Sequence, residues 1–551
     1  MNFRSSRLVK IKILQVVLLV VFISPLLCYW IYSIWLNPSR NFYTNDAEFP
    51  YFINSLAVFK GQGYRYVDHP GTPLEVIGTV FLGVSYPFIA SASQSFVAYQ
   101  LAHPDFFLNF AHYFLIAVNL LCIYAFFSIA LSHSGWKNII YSAALSTAYF
   151  AIHPSSLSTS MIWNHNSFNF PFGTIILLVL YKYIAREENQ NNLSAIRLIG
   201  LGMATGILAS ITIYMAGWAV GVMVTVFAYH LLKKTIWTKA VLLTSITGIS
   251  AIVGFFVSVL PVINRMPYFR NWILSLFTHQ SSYLAVPKDQ PMLQRLAENI
   301  AIFYNMLPIL FISLIALLVI SIIVFLLYRK RFLEKPGLWA IVIGLFIQSL
   351  VILLSFLDRP LRDMYFLSLA AILPVWLMAL LEIMEYSSAF AKTLKTCVSI
   401  LILIGIINVS IESLALRRNE IASLSESEKV ISNAVFVYAN QAKRRPDNIM
   451  VLWMYGSPSP CWGLWLGNSK AGNAFDNEIE KICPHQYLLA DGLSVSIPNS
   501  NSHLNEIRWD VIFACQRNET KLKNYDPKIN IEEHPELNWM CGKAIVAFND
   551  K

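Results

Sequence analysis

The chain has 551 residues, of which 56% are apolar and only 13% charged, with a formal net charge of +10. Its apolar residues come in blocks of ~20, the length a helix needs to cross a bilayer, which excludes an ordinary soluble globular domain. The surplus of Lys and Arg does not mark a nucleic-acid binder, because those residues are scattered over short connecting segments, as membrane orientation requires.

At the N-terminus Arg4, Arg7, Lys10 and Lys12 accompany an apolar run over residues 11–35. A cleavable signal has an apolar core of ~7–15 residues. This run is longer and ends in aromatics, so it reads as an uncleaved membrane helix. A polar loop dense in ionisable groups follows: Asn45-Asp46-Ala47-Glu48-Phe49-Pro50, then Tyr66-Val67-Asp68-His69-Pro70-Gly71-Thr72-Pro73. Hydropathy predicts further spans over residues 106–131, 138–152, 168–184, 195–214, 218–232, 240–262, 300–328, 338–357, 364–381 and 393–411. Residues 74–90 are also apolar but broken by glycines and Pro87, which suits either a further span or a helix along the membrane surface.

Charge placement decides between these. With the N-terminus cytoplasmic and residues 74–90 not crossing, Lys137, Lys182, Arg186, Lys233, Lys234, Lys239, Arg329, Lys330, Arg331, Lys335, Lys392 and Lys395 all fall on the cytoplasmic side. That agrees with the positive-inside tendency, and a crossing there would violate it throughout. The sequence thus predicts a polytopic α-helical membrane protein with about eleven transmembrane helices and a small extracytoplasmic α/β domain at the C-terminus. In a bacterium the inner membrane is implied. Arg40, Lys60, Arg65, Arg265, Arg270, Lys288, Arg295, Arg359 and Arg362 then lie outside, against the trend. An anionic partner would explain them; snorkelling to lipid phosphates is the plainer alternative.

The boundary between a transmembrane domain, 1–411, and an outer domain, 412–551, is read from a change of character. Residues 412–443 read as a charged helix leaving the membrane. Residues 448–455, 509–514 and 544–548 read as buried strands, with a short helix near 462–466. Cys28, Cys122 and Cys397 fall in apolar helices, where a thiol packs as a small hydrophobe. Cys461, Cys483, Cys515 and Cys541 lie in the polar C-terminal segment. Four cysteines allow two disulfides in three connectivities, and the absence of a CxxC pair argues against zinc.

Asp46 and Glu48 are the leading chemical candidates. In an extended loop both can face one side. They also suit capping, with Asp46 as N-cap and Glu48 in the first turn of a helix over residues 47–60, closed by Gly61 and Gly63. A cap fixes a carboxylate in space, which a general base also needs. Asp68 and His69 sit in a turn stiffened by two prolines and could orient a substrate or join a metal site. Trp163-Asn164-His165-Asn166 is a polar outer loop suited to sugar hydroxyls. Asp358-Arg359-Pro360-Leu361-Arg362-Asp363-Met364-Tyr365 offers either mutual ion pairs or a guanidinium grip on phosphate. No Walker loop, HExxH or nucleophile elbow occurs.

This pattern resembles the GT-C superfamily of membrane glycosyltransferases, in particular the branch of protein O-mannosyltransferases and lipid A aminoarabinose transferases. The likeness rests on Asp46 and Glu48 after the first helix, Gly61-Gln62-Gly63, His69-Pro70-Gly71-Thr72-Pro73, Arg362-Asp363-Met364-Tyr365 with Pro374, and Tyr455-Gly456 with Trp465. The resemblance implies inverting transfer of a sugar from a polyprenyl-phosphate donor to a hydroxyl on a lipid, glycan or protein acceptor at the extracytoplasmic face. Asp46 would be the base, with Glu48 as alternative or partner. Arg359, Arg362, Arg265 or Arg270 would hold the departing phosphate. Asp68, His69, His165 and Tyr365 would line the substrate. Many members carry an acidic residue in the second outer loop, where this chain has Asn164-His165-Asn166, so no cofactor is assigned and a divalent metal stays open. A lipid-linked substrate transporter or flippase would instead place charges within the spans. A non-catalytic membrane scaffold would not need the acidic loop.

Overall fold

The structure, a computed structural model, describes residues 3–35, 48–65, 72–89, 95–186, 194–212, 215–265, 267–271, 274, 291–329, 331–356, 363–385, 388–454, 459–490, 493–497, 500–539 and 542–549. Asp46, Asp68, His69, Arg359 and Arg362 lie outside these. The helices in chain order are α1 (Phe3–Trp35), α2 (Glu48–Phe59), α3 (Thr72–Ile89), α4 (Phe96–Ala102), α5 (Pro104–Ser134), α6 (Ile139–Thr147), α7 (Pro154–Thr159), α8 (Asn169–Arg186), α9 (Ala195–Ile211), α10 (Ala216–Leu232) and α11 (Trp237–Val259). They continue with α12 (Met292–Met306), α13 (Pro308–Leu327), α14 (Pro336–Phe356), α15 (Asp363–Ala370), α16 (Leu373–Ile383), α17 (Ala389–Gln441), α18 (Pro460–Lys470), α19 (Asp476–Ile482) and α20 (Glu519–Tyr525). Among the described residues nine helical segments are long and apolar enough to cross a membrane, and α9 and α10 are two shorter apolar helices. The chain is an integral, multi-pass membrane protein.

Three expected spans are corrected in detail; one, over 364–381, divides into α15 and α16. Residues 138–152 do not form one helix: α6 ends at Thr147, a 3-10 turn covers Ala148–Ala151, and His153 is extended at φ −162°, ψ 149°. Pro154 explains the extended His153, since proline disfavours the α region at the residue before it. The apolar stretch 300–328 is two helices, α12 and α13, parted at Leu307-Pro308 for the same reason. Conversely α3 is one continuous helix despite its glycines, with Pro87 in its last turn.

The chain divides into two compact units. The first comprises Met1–Trp30, Val67–Pro73 and Phe114–Ser413. Its tightest pairing is α9 with α11. A Cβ at Gly206 would stand 1.9 Å from the Ala251 carbonyl oxygen, one at Gly202 2.4 Å from that of Thr247, and one at Gly254 2.4 Å from that of Met203. Lipid supplies no hydrophobic drive between helices, so small residues that let backbones touch do that work. Polar ties add register: Trp30 Nε1 donates to Ser160 Oγ at 2.9 Å, and Asn119 Nδ2 donates to the Ser160 carbonyl at 2.9 Å.

The second unit comprises Ile31–Tyr66, Leu74–Tyr113 and Leu414–Lys551. It contains a seven-stranded sheet of β1 (Val451–Trp453), β2 (Gln486–Leu489), β3 (Ser494–Ile497), β4 (Ser500–His503), β5 (Val511–Cys515), β6 (Asn530–Trp539) and β7 (Gly542–Phe548), in the order β4-β3-β2-β1-β5-β7-β6. β2, β1 and β5 are parallel and the flanking pairs antiparallel. β1 and β5 are buried throughout, which is why their sequences are unbroken apolar runs. Asp510 takes two bonds from Arg444 Nη1, at 2.7 and 2.8 Å, and one from the Met450 amide at 2.8 Å, which ties the end of α17 to the sheet. Cys461 and Cys483 form a disulfide, and Cys515 is disulfide-bonded as well.

Candidate functional site

The best-defined chemical group in the second unit stands at the head of α2. Glu48 begins this helix, where a carboxylate complements the partial positive charge of the exposed amides. The next nine residues are buried on every side. The helix then stops in a Schellman arrangement: Gln62 N bonds the Ala57 carbonyl and Gly61 N that of Val58, both at 2.9 Å, with Gly61 at φ +80°. The helix therefore closes at Gly61, one of the two glycines expected to do so.

Packing then fixes which residues share an end. Ser55 lies against Gly78, the Thr79 hydroxyl donates to the Ser55 carbonyl at 3.2 Å, and Phe59 meets Tyr86, so α2 and α3 run side by side in the same direction. Phe52 meets Phe107 while Glu48 meets His112, so the start of α5 runs the opposite way. Glu48, Glu75 in the first turn of α3, and His112 consequently belong to one end of this helix group.

His112 Nε2 and Glu48 Oε1 are 2.6 Å apart, and both side chains are shut off from solvent. A charge-assisted bond of this length, in a dry setting, holds the carboxylate rigidly. Glu75 is buried too, and neither of its carboxyl oxygens has a partner among the described residues. The Tyr64 phenol is pushed above its ordinary value by burial first and by the nearby Glu75 second. Neither His112 nor Glu75 was among the expected site residues. The available signal was an ionisable residue inside an otherwise apolar helix, which is a functional candidate by default.

The expected surplus of outer cations is partly used up within this unit. Lys60 pairs with Glu478 at 3.1 Å and lies over the Phe475 ring, and Arg65 donates to the Gly472 carbonyl at 2.8 Å. They clamp the end of α2 and its following turn to the α18–α19 connection. Glycines seat the first turn of α2: a Cβ at Gly463 would lie 2.6 Å from the Phe49 ring, and one at Gly467 2.7 Å from the Phe49 carbonyl oxygen.

In the first unit a second polar group forms around the start of α15. His153 caps α7, its Nδ1 accepting the Ser155 amide at 3.2 Å, and the same nitrogen is 3.8 Å from Asp363 Oδ2. Ser155 donates its hydroxyl to that carboxylate. Burial holds the His153 imidazole below its ordinary pKa, against the opposing pull of Asp363 and Glu412. Asn164 Oδ1 accepts the amides of Asn166 and Ser167, and Asn166 Nδ2 lies 3.1 Å from Met364 Sδ. The loop carrying His165 and the segment carrying Asp363 and Met364 thus come together. Arg265 instead stacks on Tyr268 and Arg270 is exposed. Among the described residues no three His, Cys, Asp or Glu side chains converge as metal ligands.

No protein-family model matches the chain, and no curated protein matches it. Among solved structures it is similar to ArnT from Cupriavidus metallidurans bound to undecaprenyl phosphate, at 12% identity and a TM-score of 0.46, over 97% of this chain and 98% of that one. It is also similar to the oligosaccharyltransferase of Archaeoglobus fulgidus. For the apo form the identity is 10% and the TM-score 0.45, over 92% of this chain and 70% of that one. For the complex with Zn and sulfate the values are 12%, 0.44, 92% and 69%.

Proposed function

We propose that the chain is an inverting glycosyltransferase that moves a sugar from a polyprenyl-phosphate donor to a hydroxyl acceptor on the extracytoplasmic face. The observation that carries this reading is the buried Glu48–His112 pair at the head of α2, two residues beyond Asp46. A scaffold has no use for a carboxylate and an imidazole sealed together at a loop–helix junction. A transferase does, because its base must be held still.

In the proposed reaction Asp46 takes the proton of the acceptor hydroxyl as that oxygen attacks the anomeric carbon. The bond from this carbon to the phosphate oxygen breaks, its electron pair stays with the phosphate, and the configuration inverts. Glu48, fixed by His112, anchors the head of α2 two positions beyond Asp46 in the sequence. Negative charge grows on the leaving phosphate, so cationic donors aimed at it supply a large share of the rate.

Membranes carrying each variant, assayed with labelled polyprenyl-phosphate sugars, test the assignment. Asp46→Asn should lower kcat by about 10²–10⁴-fold, the usual contribution of a positioned base. Glu48→Gln, which keeps a polar partner for His112, should lower kcat with KM unchanged. Full transfer by both variants would return the chain to the scaffold reading.

A further inference from the structure

One buried cation belongs to neither group described above. Arg417, on α17, is 6% exposed. Its Nη1 donates to Glu420 one turn along the helix, whereas Nε and Nη2 are buried with no partner among the described residues. Those two nitrogens make up one edge of the guanidinium, the edge whose parallel N–H groups match two oxygens of a phosphate. Glu420 offsets the charge yet leaves this edge bare. A desolvated donor pair without an acceptor is costly, so a fold that keeps one has a reason to present it.

Position along α17 indicates which acceptor. Upstream, Ile400, Leu401, Ile404, Ile407, Ile411 and Leu416 are exposed apolar side chains, as a lipid-facing helix requires. From Arg417 the sequence turns to Arg-Arg-Asn-Glu. The first exposed charge after Ile411 is Glu412, so Arg417 sits between one and two turns past the change from hydrocarbon-compatible to charged surface, near the depth at which lipid phosphates lie. It also belongs to the same compact unit as Glu48 and His112.

We infer that the Nε–Nη2 edge of Arg417 is an oxyanion receptor for the phosphate of the lipid-linked donor. This rests on the donor reading above, and the experiment separates the two. Full-length protein in nanodiscs of zwitterionic lipid is titrated with polyprenyl phosphate, with the corresponding polyprenol, and with inorganic phosphate. Arg417→Met removes the charge, and Arg417→Lys keeps the charge but loses the planar fork. Both should weaken polyprenyl-phosphate binding by about tenfold or more, leave polyprenol binding unchanged, and leave the unliganded thermal midpoint of Arg417→Met equal to or above the wild type, because an uncompensated buried cation has gone.

A lowered midpoint with unchanged phosphate affinity in either variant would make Arg417 a purely structural residue and overturn the inference. Arg417-dependent binding of inorganic phosphate, without binding of polyprenyl phosphate, would keep the receptor and remove the lipid donor. Loss of the wild-type signal when the nanodisc contains phosphatidylglycerol would assign the edge to bulk headgroups and overturn the donor as occupant.

Discussion

His153 accepts the Ser155 amide through the ring nitrogen that also faces Asp363, so protonation would cost the cap while strengthening the ion pair. Burial is the larger influence and keeps the imidazole below its ordinary value. The sign follows from linkage. The unfolded chain takes up this proton near pH ~6.5, before the folded one does, so stability contributed by neutral His153 is present above that value. It is lost as pH falls towards the depressed folded value. His153→Asn keeps a capping acceptor and does not titrate. The thermal midpoint of the wild type should therefore fall relative to that variant between about pH 7 and pH 5; parallel curves would show that His153 is not the titrating group. Residues of this kind were hard to read from the chain. His153 precedes Pro154 and looks like turn punctuation, while its partner lies 210 positions away at Asp363. Glu48 was legible because helix-start chemistry is local, whereas His112 became meaningful only when α5 packed against α2.

At the level of elements, hydropathy identifies apolar stretches but does not say which neighbour each one chooses. α9 and α11 show where the missing information lies. Gly202-Met203-Ala204-Thr205-Gly206 is a small-xxx-small stretch whose two glycines both meet backbone oxygen of α11. At Gly200, on the same helix, a methyl group would meet nothing within 4 Å. Gly206→Ala should therefore cost about 1–3 kcal/mol, since the Ala251 carbonyl cannot step aside without moving the helix. Gly200→Ala should be neutral or stabilising by up to ~1 kcal/mol, from helix propensity alone. Comparing the two in thermal unfolding of the full chain checks the pairing, and equal effects would remove the close contact. The C-terminal sheet shows a parallel limit. β1 and β5 were readable as unbroken apolar runs buried on both faces. β3 and β4, with the sequences Ser-Val-Ser-Ile and Ser-Asn-Ser-His, form a largely polar hairpin. β6 is an edge strand carrying Glu532, Glu533 and Pro535, residues that protect edges and disguise strands.

Across the whole molecule the cysteines separate by chemistry. Cys28, Cys122 and Cys397, on apolar helices, are free, whereas Cys461, Cys483 and Cys515 of the C-terminal segment are disulfide-bonded. Disulfides persist in oxidising compartments, so this division supports the proposed orientation, with the N-terminus cytoplasmic and the C-terminal segment outside. Alkylation of intact membranes without reductant should leave Cys461 and Cys483 unlabelled, and Cys461→Ser should expose Cys483 to the reagent. Free thiols at both positions would place the segment on the reducing side and reverse the assignment of every loop. The same bond bears on function. Cys461 lies at the start of α18, two residues before Gly463, and α18 is the seat on which Phe49 and Ile53 of α2 rest. A cross-link spanning 22 residues is worth about 3 kcal/mol. Its loss should loosen α18, then α2, then the Glu48 carboxylate that His112 holds. Reduced protein should accordingly lose thermal stability and sugar transfer together, and reoxidation should restore both. Transfer that survives reduction while the midpoint falls would uncouple α18 from the head of α2.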